Sequence, residues 1–224
     1  MKIFAVIPAY EAAGTVRQVV LGLKPYVSEV VVVDDGSADA TLAEASVAGA
    51  KVLKHFINRG YGAALITGQN YALKHGAEVV VHFDADGQFD PADVPKLVAA
   101  LQSHQPSVAL GSRFLGRAIN MPFVRKVTLK LGIIFTWATS GLKLTDAHNG
   151  LRAFTAEALR RLNLRQDRMA VSSEIVQEIA RLKLPFVEVP VTVVYTADSM
   201  RSSKQGRLPA IRIIKDLLLG KFLR

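Results

Sequence analysis

The sequence predicts an α/β protein with one open, mostly parallel sheet covered by helices on both faces. Two observations indicate this class. Short runs rich in β-branched residues alternate with segments whose apolar residues recur at helical spacing, and the runs are almost continuously apolar, as strands buried on both faces are. No repeat, low-complexity stretch or linker rich in Gly, Ser or Pro divides the 224 residues. We therefore expect a single domain.

The first half of the chain alternates regularly between strand and helix. The predicted strands are KIFAVIPAY, SEVVVVDDGS, AKVLKH, EVVVHFD and SVALGSR. Apolar residues from Val16 to Leu23 recur at helical spacing, and a second helix follows at Thr41, where Glu44 three positions on indicates a capping box. The last two predicted helices of this half are GYGAALITGQNYALKHG and PADVPKLVAALQSH. This alternation is typical of a parallel sheet.

The second half is less regular. Residues 122–142 and the segment SSEIVQEIARLKL have helical patterns, whereas NGLRAF and FVEVPVTVVYT look like strands. Pro190 inside the last strand predicts a bulge or an edge position, because proline cannot donate to the hydrogen-bond ladder. The final segment, RLPAIRIIKDLLLGKFLR, predicts an amphipathic basic helix.

Composition excludes several classes of protein. The chain has no cysteine, so disulfides and thiolate metal sites are excluded. Its net charge of +9 predicts attraction to nucleic acid, acidic lipid or a phosphorylated substrate. No signal peptide is evident, and the apolar stretch over residues 131–142 is shorter than the roughly 20 residues that span a bilayer. We expect a cytoplasmic protein.

Polar residues follow four of the predicted strands at the point where each strand ends. They are Tyr10 and Glu11, Asp34 and Asp35, Asp84 and Asp86, and Ser112 and Arg113. In open sheets of this kind ligands bind beyond the carboxyl ends of the strands. We therefore expect the four groups to converge on one rim of the sheet.

The stretch VVVHFDADGQFDP places two carboxylates one residue apart at the end of a strand. Asp84, Asp86 and Gln88 occupy alternate positions, so their side chains can point the same way. Oxygen ligands suit Mg²⁺ or Mn²⁺, and a divalent cation would remove the repulsion between the carboxylates. The alternative is an Asp-rich turn, since DADG also has turn composition. The apolar strand before the pair favours the metal site.

Two glycine-containing stretches belong to the same rim. The aspartates of VVVVDDGSADAT can accept hydrogen bonds from a nucleotide base or ribose; alternatively, the segment is a helix-start loop capped by Ser37 and Asp39. Gly60 and Gly62 would allow a ligand to approach the backbone closely, although NRGYGAALITG is neither a P-loop nor G-x-G-x-x-G. PAYEAAGT after the first strand is not glycine-rich, which argues against a dinucleotide-dependent dehydrogenase.

A resemblance to a known family rests on six motifs in order. They are VIPAYEAAGTV, VVVVDDGSADAT, NRGYGAA, HFDADGQFDP, GSRF and DAHNGLRAF. They resemble family 2 glycosyltransferases of the GT-A fold, most of all the branch of dolichol- and polyprenol-phosphate hexose synthases. The resemblance implies one Rossmann-like domain with a mixed, mostly parallel sheet. It comprises a nucleotide-sugar half over residues 1–115, an acceptor half over 116–205 and a C-terminal amphipathic helix over 206–224.

The resemblance also implies a donor site. The residues that would contact the nucleotide sugar are Pro8, Tyr10, Glu11, Asp35, Gly60, Gly62 and Asp84. Asp84, the catalytic Asp86 and Gln88 would hold Mg²⁺ or Mn²⁺ against the diphosphate, where the ion neutralises the departing group. Family members of this type invert the anomeric centre by direct displacement.

The acceptor can be argued from chemistry. A sugar hydroxyl needs a general base, whereas a lipid phosphate, with a second pKa near about 6, is already ionised and needs cations to position it. Arg113 in GSRF matches a phosphate-binding, catalytic arginine of the branch, and Arg125, Arg201 and Lys204 are further candidates. In the alternative, transfer to a hydroxyl of a surface glycan, Asp146 is the catalytic base.

Three nearby residues have two interpretations each. His148 is interpreted as structural or as a hydrogen-bond donor rather than a metal ligand, and Arg152 either binds phosphate or pairs with an acid. Glu174 is either an acceptor-site residue or an acid favoured by the dipole of its helix.

The predicted partners are a nucleotide-diphosphate sugar and a polyprenyl phosphate, with peripheral contact at the cytoplasmic face of a membrane. The basic helix over residues 206–224 and the helix over 122–142 are the candidate contact surfaces. A nucleic-acid-binding protein is the non-enzymatic alternative, but no such motif occurs and the acidic rim would repel phosphates. A hydrolase with an aspartate nucleophile is disfavoured because the D-x-D does not end the first strand.

Overall fold

The computed structural model describes residues 1–103 and 106–196, which form seven strands and seven α-helices. The strands are β1 Ile3–Ala9, β2 Glu29–Asp34, β3 Lys51–Lys54, β4 Val79–His82, β5 Val108–Ile119, β6 Arg152–Thr155 and β7 Phe186–Val194. The helices are α1 Val16–Leu23, α2 Thr41–Val47, α3 Tyr61–Lys74, α4 Val94–Ser103, α5 Phe123–Ser140, α6 Ala156–Arg161 and α7 Val171–Arg181, with a 3₁₀ turn at Pro91–Asp93. The predicted C-terminal helix lies outside the described residues.

All seven strands join one sheet in the order β3-β2-β1-β4-β6-β5-β7. The pairs β1/β2, β1/β4, β2/β3 and β5/β7 are parallel, and β6 is antiparallel to both β4 and β5. The predicted α/β class with a mixed, mostly parallel sheet is confirmed. Because β5 runs in the same direction as β4, the residues that follow β1, β2, β4 and the start of β5 are directed towards the same rim.

Both faces of the sheet are buried, which explains the continuous valine run of β2. Val30 and Val32 belong to the core beneath α1 and α4, whereas Val31 and Val33 belong to the core beneath α3 and α7. Side chains of a strand alternate between the two faces, so a strand covered on both sides has no polar positions. Among the described residues, no helix has the length and hydropathy needed to cross a bilayer.

The predicted capping box at the start of α2 is wrong. The N-cap position is Ala40, which has no side-chain oxygen, and Thr41 is already the first helical residue. The Thr41 hydroxyl accepts a hydrogen bond from the Ala12 N–H (2.7 Å) and donates one to Asp39 (2.5 Å), while Glu44 pairs with a cation of α1. The hydroxyl therefore joins α2 to the loop after β1 instead of capping the helix.

The edge position predicted from Pro190 is confirmed, since β7 is the outermost strand beside β5. Pro190 pairs with Ser112, and the register then shifts before pairing resumes at Arg117 and Thr192. β5 is longer than its sequence pattern predicts because it continues to Ile119 along β7 after this irregularity.

Candidate active site

The loops that follow β1, β2 and β4 are hydrogen-bonded to one another at the rim. The Glu11 N–H donates to Ser37 Oγ (3.0 Å), which joins the first two loops. The Thr15 hydroxyl donates to the Ala85 carbonyl (2.6 Å), which joins the first loop to the acidic stretch after β4. Three of the four polar groups predicted to converge are therefore tied together by these bonds.

The first loop places its predicted site residues differently. Pro8 is buried within β1, opposite Val33 of β2, whereas Tyr10 and Glu11 are exposed beyond the end of the strand. Glu11 has a positive φ of 50°, a conformation that non-glycine residues seldom adopt. The loop thus turns sharply at the residue whose N–H is held by Ser37.

Asp84 and Asp86 form a partly buried acidic pair. The Tyr61 hydroxyl donates to Asp84 Oδ1 (2.8 Å), and the Gln88 N–H donates to Asp86 Oδ1 (3.0 Å). Burial raises the pKa of Asp84, and burial together with the charge of Asp84 raises the pKa of Asp86 to about 6. The charge of Asp84 therefore disfavours the ionised state of Asp86.

This pair fits a divalent cation. The hydrogen bonds from other described residues engage Oδ1 of each carboxylate, so Oδ2 of Asp84 and of Asp86 has no such partner. No group of three His, Asp or Glu side chains suited to a metal occurs within the described ranges. Magnesium is commonly held by one or two carboxylates together with substrate phosphates, so two carboxylates suffice for such a site. To the other described residues Gln88 is hydrogen-bonded through its backbone alone, and its role as a side-chain ligand stays a prediction.

Gly150 leaves room for this acidic pair. A Cβ at Gly150 would overlap with Asp84 Oδ2, because the loop before β6 passes directly over the carboxylate. Any other residue at this position would displace the carboxylate or the loop. The glycine is part of the DAHNGLRAF motif, but nothing in the sequence pattern relates it to Asp84.

Arg113 is buried in β5 and held from three sides. Its Nε donates to Asp146 Oδ2 (2.6 Å), Nη1 to the Tyr195 hydroxyl (2.7 Å) and Nη2 to the His148 carbonyl (3.1 Å). Burial alone would lower the pKa of Arg113, but the charge of Asp146 and the contact with Tyr195 raise it. The guanidinium is therefore positively charged, and its three partners fix its position and orientation.

Asp146 lies beside this guanidinium and is itself held by backbone groups. Its Oδ2 also accepts from the Arg113 N–H (3.0 Å) and from Asn149 Nδ2 (3.2 Å), and its buried Oδ1 has no partner among the described residues. Glu188 of β7 accepts from the Thr145 N–H, the Thr145 hydroxyl and the Asp146 N–H. Oδ2 of Asp146 is therefore occupied by the chain, whereas Oδ1 is not occupied by any described residue.

Asp35 is buried, and its carboxylate oxygens are occupied by the chain itself. Oδ1 accepts from His55 Nδ1 (2.6 Å) and from the Arg59 N–H (2.9 Å), and Oδ2 accepts from the Gly60 N–H (2.7 Å). In this arrangement Asp35 fixes the loop between β3 and α3. Direct contact of its side chain with a base or ribose stays a prediction.

Gly60 and Gly62 allow a close approach, but it is made by protein backbone. A Cβ at Gly60 would lie 2.5 Å from the Asp167 carbonyl oxygen, and one at Gly62 would overlap with the Gln166 carbonyl. The Ala63 N–H donates to the same Asp167 carbonyl (3.0 Å). The loop between α6 and α7 therefore packs on the N-terminus of α3, and contact of these glycines with a ligand stays a prediction.

The chain matches the model of glycosyl transferase family 2 over residues 4–162. It belongs to this family. A UDP-N-acetylglucosamine–dolichyl-phosphate N-acetylglucosaminyltransferase of Methanococcus voltae is 35% identical over 88% of this chain and 88% of its own length. An undecaprenyl-phosphate mannosyltransferase of Micrococcus luteus is 32% identical over 87% of this chain and 84% of its own. The predicted resemblance to polyprenyl-phosphate hexose synthases is thereby confirmed.

Solved structures agree on the fold of this glycosyltransferase. Glucosyl-3-phosphoglycerate synthase from Mycobacterium tuberculosis, in a complex with Mn²⁺, UDP and phosphoglyceric acid, superimposes with a TM-score of 0.73 at 20% identity, covering 97% of this chain and 77% of the other. At this identity the likeness concerns the fold, and it confirms the predicted GT-A architecture.

The remaining predicted residues of the glycosyltransferase fall in three places. Arg125 is exposed on α5, whereas Arg201 and Lys204 lie outside the described residues. His148 is partly buried, and burial followed by the charge of Arg152 lowers its pKa, which favours the neutral ring and a structural role.

Glu174 and Arg152 have contrasting surroundings. Glu174 accepts hydrogen bonds from the backbone N–H groups of Arg165 and Gln166, which lie in the loop between α6 and α7, and both interpretations of its role stay predictions. Arg152 is buried, its Nη1 and Nη2 have no hydrogen-bond partner in the described part of the chain, and it lies within the electrostatic reach of Asp84. Its charge therefore acts on Asp84 without forming a direct bond.

Three residues of the site were not predicted from the sequence. Tyr61 donates to Asp84, Glu188 holds the loop of Asp146, and Tyr195 holds Arg113. Each lies at least 23 positions from its partner, so only the fold relates them. Glu188 is the one that a pattern could have indicated, because an acid within an apolar edge strand needs a local partner.

Proposed function

We propose that this glycosyltransferase moves a hexose from a UDP- or GDP-linked sugar to a polyprenyl phosphate, with inversion at the anomeric carbon. The proposal is supported by the relatives, two of which are named for transfer to dolichyl or undecaprenyl phosphate. The observation that carries the choice of acceptor is the pairing of Asp146 with Arg113.

The donor side of the proposal uses the acidic pair. Asp84 and Asp86 would hold Mg²⁺ or Mn²⁺ through the carboxylate oxygens that make no bond to other described residues. When bound, the ion neutralises the charge that develops on the departing diphosphate. The Tyr61 hydroxyl and the Gln88 N–H keep the two carboxylates in place for this role. A structural neighbour was crystallised with Mn²⁺ and UDP.

The acceptor side of the proposal depends on which nucleophile the site can use. A hydroxyl acceptor would need a base, but Oδ2 of Asp146 accepts three hydrogen bonds and is paired with Arg113. A phosphate oxygen is already ionised at neutral pH and needs positive charge to hold it. Arg113 uses three of its five N–H groups on side chains and carbonyls, which leaves one hydrogen on each terminal nitrogen for a phosphate.

The second candidate, transfer to a hydroxyl of a glycan, is favoured by one observation. Asp146 Oδ1 is buried and has no hydrogen-bond partner among the described residues, so this oxygen could accept a proton. This candidate requires Asp146 as the base, and Asp146→Asn should then abolish transfer.

A transfer assay with matched acceptors tests the proposal. The purified full chain would be given labelled UDP-glucose, UDP-N-acetylglucosamine or GDP-mannose with Mg²⁺ or Mn²⁺. Polyprenyl phosphate is one acceptor, and the same polyprenol without its phosphate is the control. We expect label in the lipid product only with the phosphate and only with metal. Transfer to the free alcohol, or to a glycan acceptor alone, would reject the phosphate acceptor.

A further inference from the structure

The outward side of α5 is apolar. Its exposed large apolar side chains are Phe123 (79% exposed), Val124 (75%), Val127 (42%), Leu131 (61%), Ile134 (58%) and Trp137 (49%). At 100° per residue these six positions occupy one arc of about 140° on the helix surface, and the buried Leu129 and Thr136 lie opposite. A surface helix of a globular protein ordinarily has the reverse arrangement, with its apolar stripe on the core. We call this arc the outer face of α5.

The charge beside the outer face is entirely positive. Lys126 is exposed just beyond the Trp137 edge of the arc, Lys130 is exposed within the arc near that edge, and no acidic residue occurs in the sequence between Asp93 and Asp146. Lys130 Nζ lies 4.1 Å from the centre of the Phe114 ring, and Lys143 Nζ lies 5.3 Å from that of Trp137. An apolar arc with cations along one edge and no acidic residue on the same helix is complementary to a surface with an apolar interior and anionic head groups.

We propose that α5 binds an anionic phospholipid bilayer through its outer face, lying in the plane of the head groups. The inference rests on the proposed function in one respect, since a polyprenyl phosphate resides in such a bilayer. A second copy of the chain is a poorer partner, because it would bring the same lysines against each other. Each lysine or arginine near an anionic surface contributes about 1 kcal/mol to binding, and apolar side chains in the interface add to this.

The inner side of α5 connects the bound helix to the active site. A Cβ at Gly132 would lie 3.3 Å from the His148 ring, so the helix packs directly on this histidine. The His148 carbonyl in turn accepts a hydrogen bond from Arg113 Nη2 (3.1 Å). One residue therefore separates the membrane-bound helix from the guanidinium proposed to hold the lipid phosphate.

The only tryptophan of the chain reports on this face directly. Trp137 lies on the outer face and is half exposed. With vesicles of phosphatidylcholine containing phosphatidylglycerol, we expect its emission to shift to the blue and to be quenched by brominated acyl chains. Pure phosphatidylcholine vesicles and high salt should weaken both effects, because the lysines then lose their partner.

Matched variants separate the outer face from exposed apolar residues in general. Leu131→Ser with Ile134→Ser should weaken binding to the anionic vesicles by at least about tenfold, because two interfacial apolar side chains are lost. The control, Leu21→Ser with Val47→Ser, removes two exposed apolar side chains from α1 and α2 and should leave binding unchanged. Equal binding by both variants would overturn the proposal.

Other occupants of the outer face give different results. Blue-shifted emission without lipid that depends on protein concentration would assign the face to a second copy. Blue-shifted emission that is independent of concentration and of vesicles would assign it to the chain's own residues after 196. Emission typical of an exposed Trp137 that does not change when anionic vesicles are added would show that the outer face does not bind the membrane. Each of these three results overturns the proposal.

Two acceptors distinguish failure of the membrane contact from failure of the proposed function. With a short, water-soluble isoprenyl phosphate as acceptor, the unchanged protein and the Leu131→Ser, Ile134→Ser variant should transfer sugar at the same rate. With a long polyprenyl phosphate in vesicles, the variant should transfer sugar at least about tenfold more slowly. Equal use of both lipids would reject the membrane contact alone. Vesicle binding with no transfer to either lipid would reject the proposed function alone.

Discussion

Asp84 and Asp86 on one side of the rim and Asp146 on the other have opposite electrostatic surroundings. Within residues 1–103 and 106–196, the hydrogen bonds to the first two come from neutral groups, and burial raises their pKa values. Asp146 is paired with the buried guanidinium of Arg113 at 2.6 Å. Asp146 thus has a directly bonded cation supplied by the chain, whereas the charges of Arg152 and Arg113 reach the acidic pair without a bond. We propose that the pair takes a further cation from solution. The source of the neutralising positive charge therefore indicates the role of each carboxylate. One that is paired with an arginine of the chain is structural, whereas one without such a partner is available to a metal ion.

The largest expected effect follows from removing a ligand of the acidic pair. Asp86→Asn should lower kcat by about a thousandfold, because a group that stabilises the departing charge is worth about this much. Metal-dependent transfer is the measurement, and Asp90→Asn, an exposed acid of the same loop, is the control. If Asp86→Asn retained normal turnover, the metal role of the pair would be wrong.

Breaking the Arg113–Asp146 pair should lower the stability of the fold. Arg113→Met leaves a buried carboxylate without its cation and should lower the free energy of unfolding by about 3–5 kcal/mol. Asp146→Asn in the same chain should recover part of this loss, as measured by urea unfolding of the single and double variants. Strictly additive effects would mean that the two side chains do not stabilise each other.

The room left by Gly150 provides a subtler test of the acidic pair. Gly150→Ala places a methyl group against Asp84 Oδ2 and should weaken Mn²⁺ binding by about 10- to 100-fold through displacement of the ligand. Gly14→Ala is the matched control, because nothing lies within 4 Å of a Cβ at Gly14. Unchanged metal affinity in Gly150→Ala would place the ion away from this oxygen.

The raised pKa of Asp86 should be visible in the pH dependence of stability. The pKa of Asp86 is about 6 in the folded protein, above the ordinary value of 3.8 for an aspartate, so the folded state binds its proton more tightly than the unfolded state does. Without metal, this group should therefore lower the free energy of unfolding, by up to about 3 kcal/mol, as pH rises from 4 to 6. Unfolding in a chelator should show this loss, and Asp86→Asn should remove it. A profile shared by both proteins would contradict the assigned shift.

Much of the fold could be predicted because its signals are local. The valines of β2, buried on both faces, indicate a covered parallel strand, and Pro190 indicates an edge. The direction of β6 could not be predicted, because the sequence NGLRAF is compatible with parallel or antiparallel pairing. Its antiparallel pairing with β4 and β5 is visible only in the fold. α6 was missed because six residues are too few for a helical period to be recognised.

The site was predictable in its residue types but not in its partners. The acids at the strand ends could be located, because the carboxyl ends of parallel strands share a rim. The partners of these acids could not be located, because they come from distant segments. The loop before α3 donates hydrogen bonds to Asp35, and Glu188 accepts one from the Asp146 N–H. The same is true of Gly60 and Gly62, whose close neighbour is the loop at 166–167.

Binding of Mn²⁺ to the full chain, followed by the electron paramagnetic resonance signal of the free ion, tests the contrast between the two kinds of carboxylate most directly. The free-ion signal should fall when the protein and UDP or GDP are both present. For Asp84→Asn with Asp86→Asn it should fall no further than with the nucleotide alone, and for Asp146→Asn it should fall as far as for the unchanged protein. This result would show that the acidic pair takes its cation from solution and that Asp146 does not. Normal Mn²⁺ binding by the Asp84, Asp86 double variant would contradict the account.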